Sequence, residues 1–273
     1  MSDIRPIGVF DSGVGGLTVA RALMEHLPNE ALIYIGDTAR FPYGPRPIEE
    51  IRQFGMQIAD ALISRDVKML VVACNSVEVS AIDQIAARHG VPVIGVVEPG
   101  TRAAAHVTRS GRVGMIGTEA TVRSGAYDRA MARENRRVAL ASAACPAFVD
   151  HVESGDTSSD ELERAARLYL GPLMEADIDT LILGCTHYPL LSGLLHDVTG
   201  PGVVQVSSAE ETANDVAARL LADGLTTDAT APVHRFLTTG DGPTFDGLAA
   251  LFLGSDLAAV HASHLDLAEA AWS

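Results

Sequence analysis

Two stretches of the sequence share a layout in which a short apolar strand ends in a cysteine and a helix follows. Residues 69–73 are apolar and lead into Cys74, and residues 180–183 lead through Gly184 into Cys185. Uninterrupted apolar runs of this length are typical of strands buried in a parallel sheet. In open α/β sheets, ligands bind at the carboxyl ends of the strands. We therefore expect the two thiols to face each other across one small substrate.

The same alternation of apolar strands and amphipathic helices continues along the whole chain and predicts parallel sheets. The predicted strands are residues 7–10, 32–35, 69–73, 93–97, 112–116, 138–142, 180–183, 203–206, 234–239 and 256–260. The predicted helices are residues 17–26, 47–66, 81–89, 122–134, 148–153, 160–174, 189–199, 210–224 and 245–252.

An internal duplication is indicated by the spacing of the strand ends. The interval from Cys74 to Cys185 is 111 residues, and other strand ends are separated by similar intervals. We predict two similar α/β domains of the flavodoxin or Rossmann type, related by pseudo-symmetry, with the active site in the cleft between them. The first domain comprises residues 1–98 and 208–273, and the second comprises residues 99–207.

Composition disfavours several classes of protein. A net charge of −15 disfavours nucleic-acid backbones and anionic membranes as direct partners. No apolar run approaches the ~20 residues of a membrane span, and the first residues lack a signal-peptide pattern. Three cysteines, an odd number, favour a reducing cytoplasm over a disulfide framework. Lys68 is the only lysine and is predicted at the sheet edge opposite the site, which disfavours pyridoxal phosphate.

Paired thiols indicate a particular kind of chemistry. A thiol at a helix start is expected to have a lowered pKa, because the helix N-terminus stabilises the thiolate. Two thiols on opposite faces of one carbon suit stereoinversion, in which one removes a proton and the other returns one. This chemistry needs no cofactor in principle, provided that fixed donors stabilise the carbanion. Each cysteine could instead be an inert core residue, which we favour for Cys145 because it has no counterpart in the other half.

Several side chains near the two cysteines are candidate helpers. His187 is expected to lower the pKa of the Cys185 thiol or to relay a proton. A zinc site is disfavoured because this Cys-x-His pair has no second pair at ligand spacing. Asp11 and Glu153 are candidates for orienting a thiol or a substrate ammonium. The alternatives are an ordinary helix cap for Asp11 and an exposed helix face for Glu153, and spacing alone favours the exposed face for Glu153. The candidate substrate-binding residues at strand ends are Ser12, Asn75, Ser76, Thr118, Thr121 and Thr186, with Tyr43 and Gly44 on a proline-rich loop.

Eight sequence blocks in a fixed order resemble the bacterial glutamate racemases of the aspartate/glutamate racemase superfamily. The blocks are GVFDSGVGGLTV (8–19), GDTARFPYG (36–44), ACNS (73–76), GVVEP (95–99), IGTEATVRSGAY (116–127), CPAFVDHVE (145–153), LGCTHYPLL (183–191) and SSAEETA (207–213). The resemblance covers nearly the full chain. It implies cofactor-independent interconversion of L- and D-glutamate, which supplies D-glutamate for peptidoglycan. It also implies a cytoplasmic homodimer of two-domain subunits, and some family members bind DNA gyrase.

Carried over residue by residue, the resemblance implies that Cys74 acts on the D-enantiomer and Cys185 on the L-enantiomer. It assigns auxiliary acid/base positions to Asp11, Glu153 and His187. The substrate-binding pairs that it implies are Asp11-Ser12, Tyr43-Gly44, Asn75-Ser76 and Thr186-His187.

One segment departs from the family pattern. The family usually reads Cys-Asn-Thr-Ala-Ser where this chain has Ser76, Val77 and Glu78 in the last three places. Ser76 keeps the hydroxyl for carboxylate binding. Glu78 is compatible with the helix dipole, and it is a candidate for changing the pKa of the neighbouring thiol or the rate.

Three alternatives stay open at this level. The same chemistry could act on aspartate or another small acidic amino acid. Cys185 and His187 could form a hydrolase in which Cys74 is structural. The two domains could also form a binding protein without catalysis, which would exchange no solvent deuterium into its ligand.

Overall fold

Helices and strands alternate through the chain in the computed structural model, which describes residues 2–254 and 260–267. The strands are β1 (Ile7–Asp11), β2 (Leu32–Gly36), β3 (Met69–Val72), β4 (Val93–Ile94), β5 (Arg112–Gly117), β6 (Ala139–Ala144), β7 (Thr180–Gly184), β8 (Val204–Ser207), β9 (Arg235–Thr238) and β10 (Ala262–His264). The helices are α1 (Leu17–His26), α2 (Ile48–Ile63), α3 (Asn75–Arg88), α4 (Val97–Val107), α5 (Glu119–Ser124), α6 (Ala126–Glu134), α7 (Ala147–Glu153), α8 (Asp160–Glu175), α9 (Ser192–Thr199), α10 (Ala209–Asp223) and α11 (Gly242–Leu253). No helix within the described ranges has the length and apolar character to cross a membrane.

Within the described residues the strands form two sheets, and every hydrogen-bonded pair of strands is parallel. One sheet has the order β10-β9-β2-β1-β3-β4, and the other has the order β6-β5-β7-β8. The segment β2-β1-β3-β4 of the first sheet has the same connectivity as the whole second sheet, so the α/β unit is repeated. The predicted architecture of two similar parallel-sheet units is confirmed. It gives β3 and β7, the strands that precede the two cysteines, equivalent places in their sheets.

The C-terminal strands return to the first sheet after the chain has built the second. The first sheet takes β1–β4 and then β9 and β10, which pair beside β2, whereas the second sheet is built from β5–β8 alone. Helix α4 packs on β7 and β8, while α10 packs on α1 and α4, so these two helices lie at the junction. The domain limits at residues 98 and 207 stay a prediction.

Both faces of the first sheet are buried at its central strands β1, β2 and β3, which accounts for the continuous apolar runs of these strands. Ile7 and Val9 of β1 point into one apolar cluster, whereas Phe10 points into another with Leu70 and Val72 of β3. All five residues of β1 are buried. This alternation follows from the two-residue repeat of a strand, and it fixes the register in which β1 leads into the loop at Ser12.

Two predicted elements around the first sheet differ from the structure. Helix α3 begins at Asn75, directly after Cys74, and not at residue 81, because polar residues fill its first turn at the cleft. The predicted strand 93–97 ends at Ile94, and Val97 already begins α4, which the sequence reasoning missed. Pro99 lies in the first turn of α4, where a missing backbone N–H removes no helix bond.

Other boundaries differ for local reasons. The predicted helix 122–134 is two helices, because Gly125 between them adopts a left-handed conformation with φ of 62°. The predicted helix 189–199 begins as a 3-10 turn at Tyr188–Leu191 before α9. The predicted strand at 256–260 falls mostly outside the described residues, and β10 begins at Ala262.

Candidate active site

A cavity of about 390 Å³ lies among the loops that follow the strand ends of both sheets, a size suited to a small molecule. Both Cys74 and Cys185 line it, and the two residues are 5% and 7% exposed. The lining residues are Ser12, Phe41, Pro42, Tyr43, Gly44, Pro45, Cys74, Asn75, Ser76, Thr118, Glu119, Pro146, Ala147, Val149, Asp150, Tyr169, Cys185, Thr186 and His187. The structure therefore brings the two thiols to one cavity, as the sequence predicts.

Cys74 caps the N-terminus of α3, and its Sγ donates to the Ser12 hydroxyl at 3.6 Å. The expected lowering of its pKa is wrong. Burial, followed by the negative charge of Asp11, raises the pKa of the Cys74 thiol well above its usual range, and the nearby N–H groups offset only part of this. Cys74 is therefore a neutral thiol at neutral pH.

Cys185 has a different polar environment, because a histidine follows it. Its Sγ lies 3.8 Å from His187 Nδ1, and His187 Nε2 lies 3.0 Å from Glu153 Oε1. Burial lowers the pKa of His187, but its hydrogen bonds to Cys185 and Glu153 outweigh this and raise the pKa to about 10. His187 is therefore an imidazolium at neutral pH, and its positive charge lies beside the Cys185 sulfur.

Three predicted site residues lie behind the cavity wall and do not form it: Asp11, Thr121 and Glu153. Asp11 is fully buried, and its Oδ2 accepts from the N–H of Gly16, as a helix cap would. Among the described residues its Oδ1 has no hydrogen-bond partner. Glu153, at the end of α7, contacts the cavity through His187.

Hydroxyl groups from the two halves form a chain across the cleft. The Ser76 hydroxyl lies 2.9 Å from that of Thr118, which lies 3.0 Å from that of Thr121. Thr118 is the N-cap of α5 and accepts from the Thr121 N–H at 3.2 Å. Ser76 and Thr118 thus present hydroxyl groups to the cavity at the starts of two helices, where backbone N–H groups favour anions.

The loop that carries Tyr43 and Gly44 is held by a buried aspartate that the sequence reasoning did not single out. Asp37 accepts hydrogen bonds from the Tyr43 hydroxyl, from Arg40 Nε at 2.6 Å and from the Thr239 hydroxyl at 2.6 Å. The hydroxyl of Tyr43 is therefore used inside the protein. What Tyr43 offers to the cavity is the rest of the residue, and Gly44 allows the loop to approach Thr118 closely.

Two aromatic rings that were also missed flank the His187 imidazole. The Phe41 ring centroid lies 5.8 Å away in a tilted arrangement, and that of Phe252 lies 5.5 Å away edge-on. Phe41 lies within GDTARFPYG, one of the blocks that carry the family resemblance, so the sequence pointed to this segment although not to this residue. Phe252 comes from α11, and no local pattern marks it, because the contact depends on the tail returning to the first sheet.

The segment that departs from the family pattern is accommodated by two glycines. A Cβ atom at Gly55 of α2 would lie 2.6 Å from Val77 Cγ1, so glycine leaves room for valine. A Cβ atom at Gly95 would lie 2.2 Å from the carboxyl carbon of Glu78. Glu78 Oε2 accepts from the N–H groups of Val96 and Val97 at 2.5 and 3.0 Å. The Glu78 carboxyl group thus caps α4, and burial raises its pKa to about 7.

Comparisons with known proteins identify racemases as similar proteins over nearly the whole chain. The profile of the Asp/Glu/Hydantoin racemase family matches residues 16–216. A glutamate racemase from Parafrankia sp. is 55% identical over 257 residues, 93% of each chain. A crystal structure of a glutamate racemase from Bacillus anthracis has a TM-score of 0.92 at 41% identity and covers 96% of this chain and 98% of that one. A glutamate racemase from Francisella tularensis, solved in complex with D-glutamate, has a TM-score of 0.91 at 34% identity, with 98% and 99% covered.

Proposed function

We propose that this chain, which belongs to the Asp/Glu/Hydantoin racemase family and within it to the glutamate racemases, interconverts L- and D-glutamate by a two-thiol mechanism without a cofactor. The family predicted from the sequence is confirmed. Its known role is to supply D-glutamate for peptidoglycan. The observation that carries the mechanism is that Cys74 and Cys185, which follow equivalent strands of the two sheets, line one cavity.

Neutral donors hold the substrate carboxylates in this proposal. Within the described residues the cavity lining includes neither Arg nor Lys. Carboxylates then bind to the Asn75 amide, to the hydroxyls of Ser76 and Thr118, and to N–H groups at the first turns of α3 and α5. The Asn75 Nδ2 atom is buried and, in the described part of the chain, has no hydrogen-bond partner, so it is available for this role.

The substrate ammonium group makes the Cys74 thiol competent. Asp11 Oδ1, a buried acceptor without a partner in the described structure, is available to balance that positive charge. A cation near a buried thiol favours its thiolate, which opposes the effects of burial and of Asp11 on the pKa of Cys74. Binding of an amino acid therefore supplies a positive charge that favours the Cys74 thiolate.

In the direction from L to D, the Cys185 thiolate removes the α-proton. An S–H bond forms as the C–H bond breaks, and the electron pair is delocalised into the carboxylate that the fixed donors hold. The Cys74 thiol then gives its proton to the opposite face of the α-carbon and becomes the thiolate. The imidazolium of His187 stabilises the Cys185 thiolate, and Glu153 keeps the ring in place. From D to L the two thiols exchange roles.

Incubation with L-glutamate in deuterated water tests the activity. Circular dichroism should decay to zero while proton NMR shows deuterium entering the α-position. An unchanged signal without exchange contradicts the proposal. L-Aspartate in a parallel sample tests the alternative substrate. The Cys74→Ser variant tests the hydrolase alternative, because a Cys185–His187 hydrolase keeps most of its activity when Cys74 is replaced.

Assembly and location belong to the same proposal and are supported by the family resemblance. The enzyme acts as a homodimer in the cytoplasm, and sedimentation of the purified protein at several concentrations tests the dimer. Association with DNA gyrase stays a prediction from the resemblance alone.

A further inference from the structure

Tyr127 is a fully buried residue of α6 that contacts both thiol-bearing loops. Its hydroxyl donates to Asn75 Oδ1 at 2.7 Å, and Asn75 is the residue directly after Cys74. Its ring packs under the residue directly before Cys185, because a Cβ atom at Gly184 would lie 3.3 Å from Tyr127 Cε2. Tyr127 therefore spans the cleft between the first and second halves without lining the cavity.

The direction of the hydrogen bond determines how the Asn75 amide points. Burial, followed by the nearby charges of Glu78 and Cys185, raises the pKa of the Tyr127 hydroxyl well above its usual value, so the hydroxyl keeps its proton. A buried hydroxyl proton needs an acceptor, and the acceptor of the amide is Oδ1. With Oδ1 facing Tyr127, the two protons of Nδ2 face the other way.

The other atoms of the amide agree with this assignment. Asn75 is 3% exposed and lines the cavity, and its Nδ2 has no partner within the described residues. A rotated amide would leave the hydroxyl proton of Tyr127 unpaired and would present an oxygen to an anionic substrate. Both consequences are unfavourable in a buried site.

We propose that Tyr127 is a positioning residue, which fixes the Asn75 amide as a hydrogen-bond donor to a substrate carboxylate. It acts through Asn75 and does not touch the substrate. The inference rests on the proposed function, since it requires an anionic ligand in the cavity. It assigns a role to the end of the block IGTEATVRSGAY, which the sequence reasoning left without one.

The test is the Tyr127→Phe variant, which keeps the ring against Gly184 and removes only the donor. The expected result is a rise in KM of roughly tenfold for both enantiomers, with a smaller change in kcat. Tyr188→Phe is the matched control. Tyr188 is also fully buried, and its hydroxyl donates to the Cys145 carbonyl at 2.9 Å, a bond that no cavity-lining side chain of the described structure shares. Its KM should stay within about twofold of the wild-type value, a change well below that of one hydrogen bond.

A double-mutant cycle separates positioning from a general loss of packing. In the Asn75→Ala background, adding Tyr127→Phe should change KM by less than about twofold, because the amide that it orients is gone. An equal effect of Tyr127→Phe in both backgrounds overturns the proposal, and so does a wild-type KM in the single variant. Thermal melting should show similar losses for Tyr127→Phe and Tyr188→Phe.

NMR of the Asn75 side-chain amide tests the proposal on the wild-type protein. The Asn75 side-chain amide should give one slowly exchanging pair of NMR signals that shift when D-glutamate is added. An Asn75 pair that exchanges freely and ignores bound D-glutamate overturns the inference. Failure of the proposed function is a different outcome, in which the wild-type protein itself neither racemises glutamate nor exchanges its α-proton.

Discussion

His187 Nδ1 lies 3.8 Å from the sulfur of Cys185. The corresponding neighbour of Cys74 is the Ser12 hydroxyl, and the charge that acts on this thiol is the negative one of Asp11. One thiol of the pair therefore lies beside a cation and the other near an anion. This asymmetry distinguishes the two thiols in the proposed mechanism, in which Cys185 acts on L-glutamate and Cys74 on D-glutamate.

Replacing His187 by Gln should slow proton removal from L-glutamate. A unit charge about 4 Å away is worth about 1 kcal/mol in water and about 4 kcal/mol near a protein surface, so kcat from L to D should fall by roughly fivefold to about a thousandfold. The two enantiomers have equal free energies, so kcat/KM must fall equally in both directions. The asymmetry is visible in the isotope effect with α-deuterated substrate, which should rise more for L- than for D-glutamate. Equal isotope effects would contradict the role assigned to His187.

The raised pKa of His187 also predicts how the stability of the protein depends on pH. Since the pKa of His187 is raised from 6.5 to about 10, its stabilisation is complete below pH 6.5 and is lost as the pH rises through 10. The free energy of unfolding of the wild-type protein, measured against His187→Gln, should therefore fall between pH 6.5 and 10. A constant difference over this range would show that the imidazolium is not stabilised by its neighbours.

The Glu78→Gln substitution should reduce the pH dependence of the free energy of unfolding, in a pH range below the one in which His187 acts. Burial raises the pKa of Glu78 from 4.5 to about 7 against the opposing N–H groups of Val96 and Val97, so the folded protein binds a proton that the unfolded chain releases. Its stabilisation is present below pH 4.5 and lost as the pH rises through 7, a change of roughly 3 kcal/mol. Urea unfolding at pH 5 and pH 8 measures it. A wild-type protein whose stability, relative to Glu78→Gln, rises over this interval would contradict the assignment.

Phe252→Leu should lower kcat more than its effect on stability explains, because the ring that holds His187 edge-on is lost. Phe245 provides a matched control in the same helix. It is also buried, but its ring packs on Tyr34 at 6.1 Å. Both variants should lower the melting temperature by similar amounts, since each loses buried apolar volume. Only Phe252→Leu should slow racemisation, by several-fold on the scale of a displaced catalytic group. Equal activities would show that Phe252 only fills space.

The two strand-end cysteines could be predicted from the sequence because their signals are local. An apolar run, a thiol and polar followers stand next to one another at both sites, and parallel strands bring such ends to one edge. Asp37 and Phe252 could not be assigned in this way, since their contacts join segments that are distant in the chain. Helix α4 was missed because Pro99 is typical of a turn as well as of a first helical turn. The pKa of Cys74 was predicted in the wrong direction because the helix dipole can be inferred from the sequence, whereas the extent of burial cannot.

The opposed placement of the two thiols is tested most directly by α-proton exchange in single-cysteine variants. In deuterated water, Cys185→Ala should exchange the α-proton of D-glutamate through Cys74 while L-glutamate stays unlabelled. Cys74→Ala should label L-glutamate alone, through Cys185. Neither variant should racemise its substrate, since the proton donor on the far face is missing. Labelling of both enantiomers by one variant, or racemisation by either, would contradict the two-thiol mechanism.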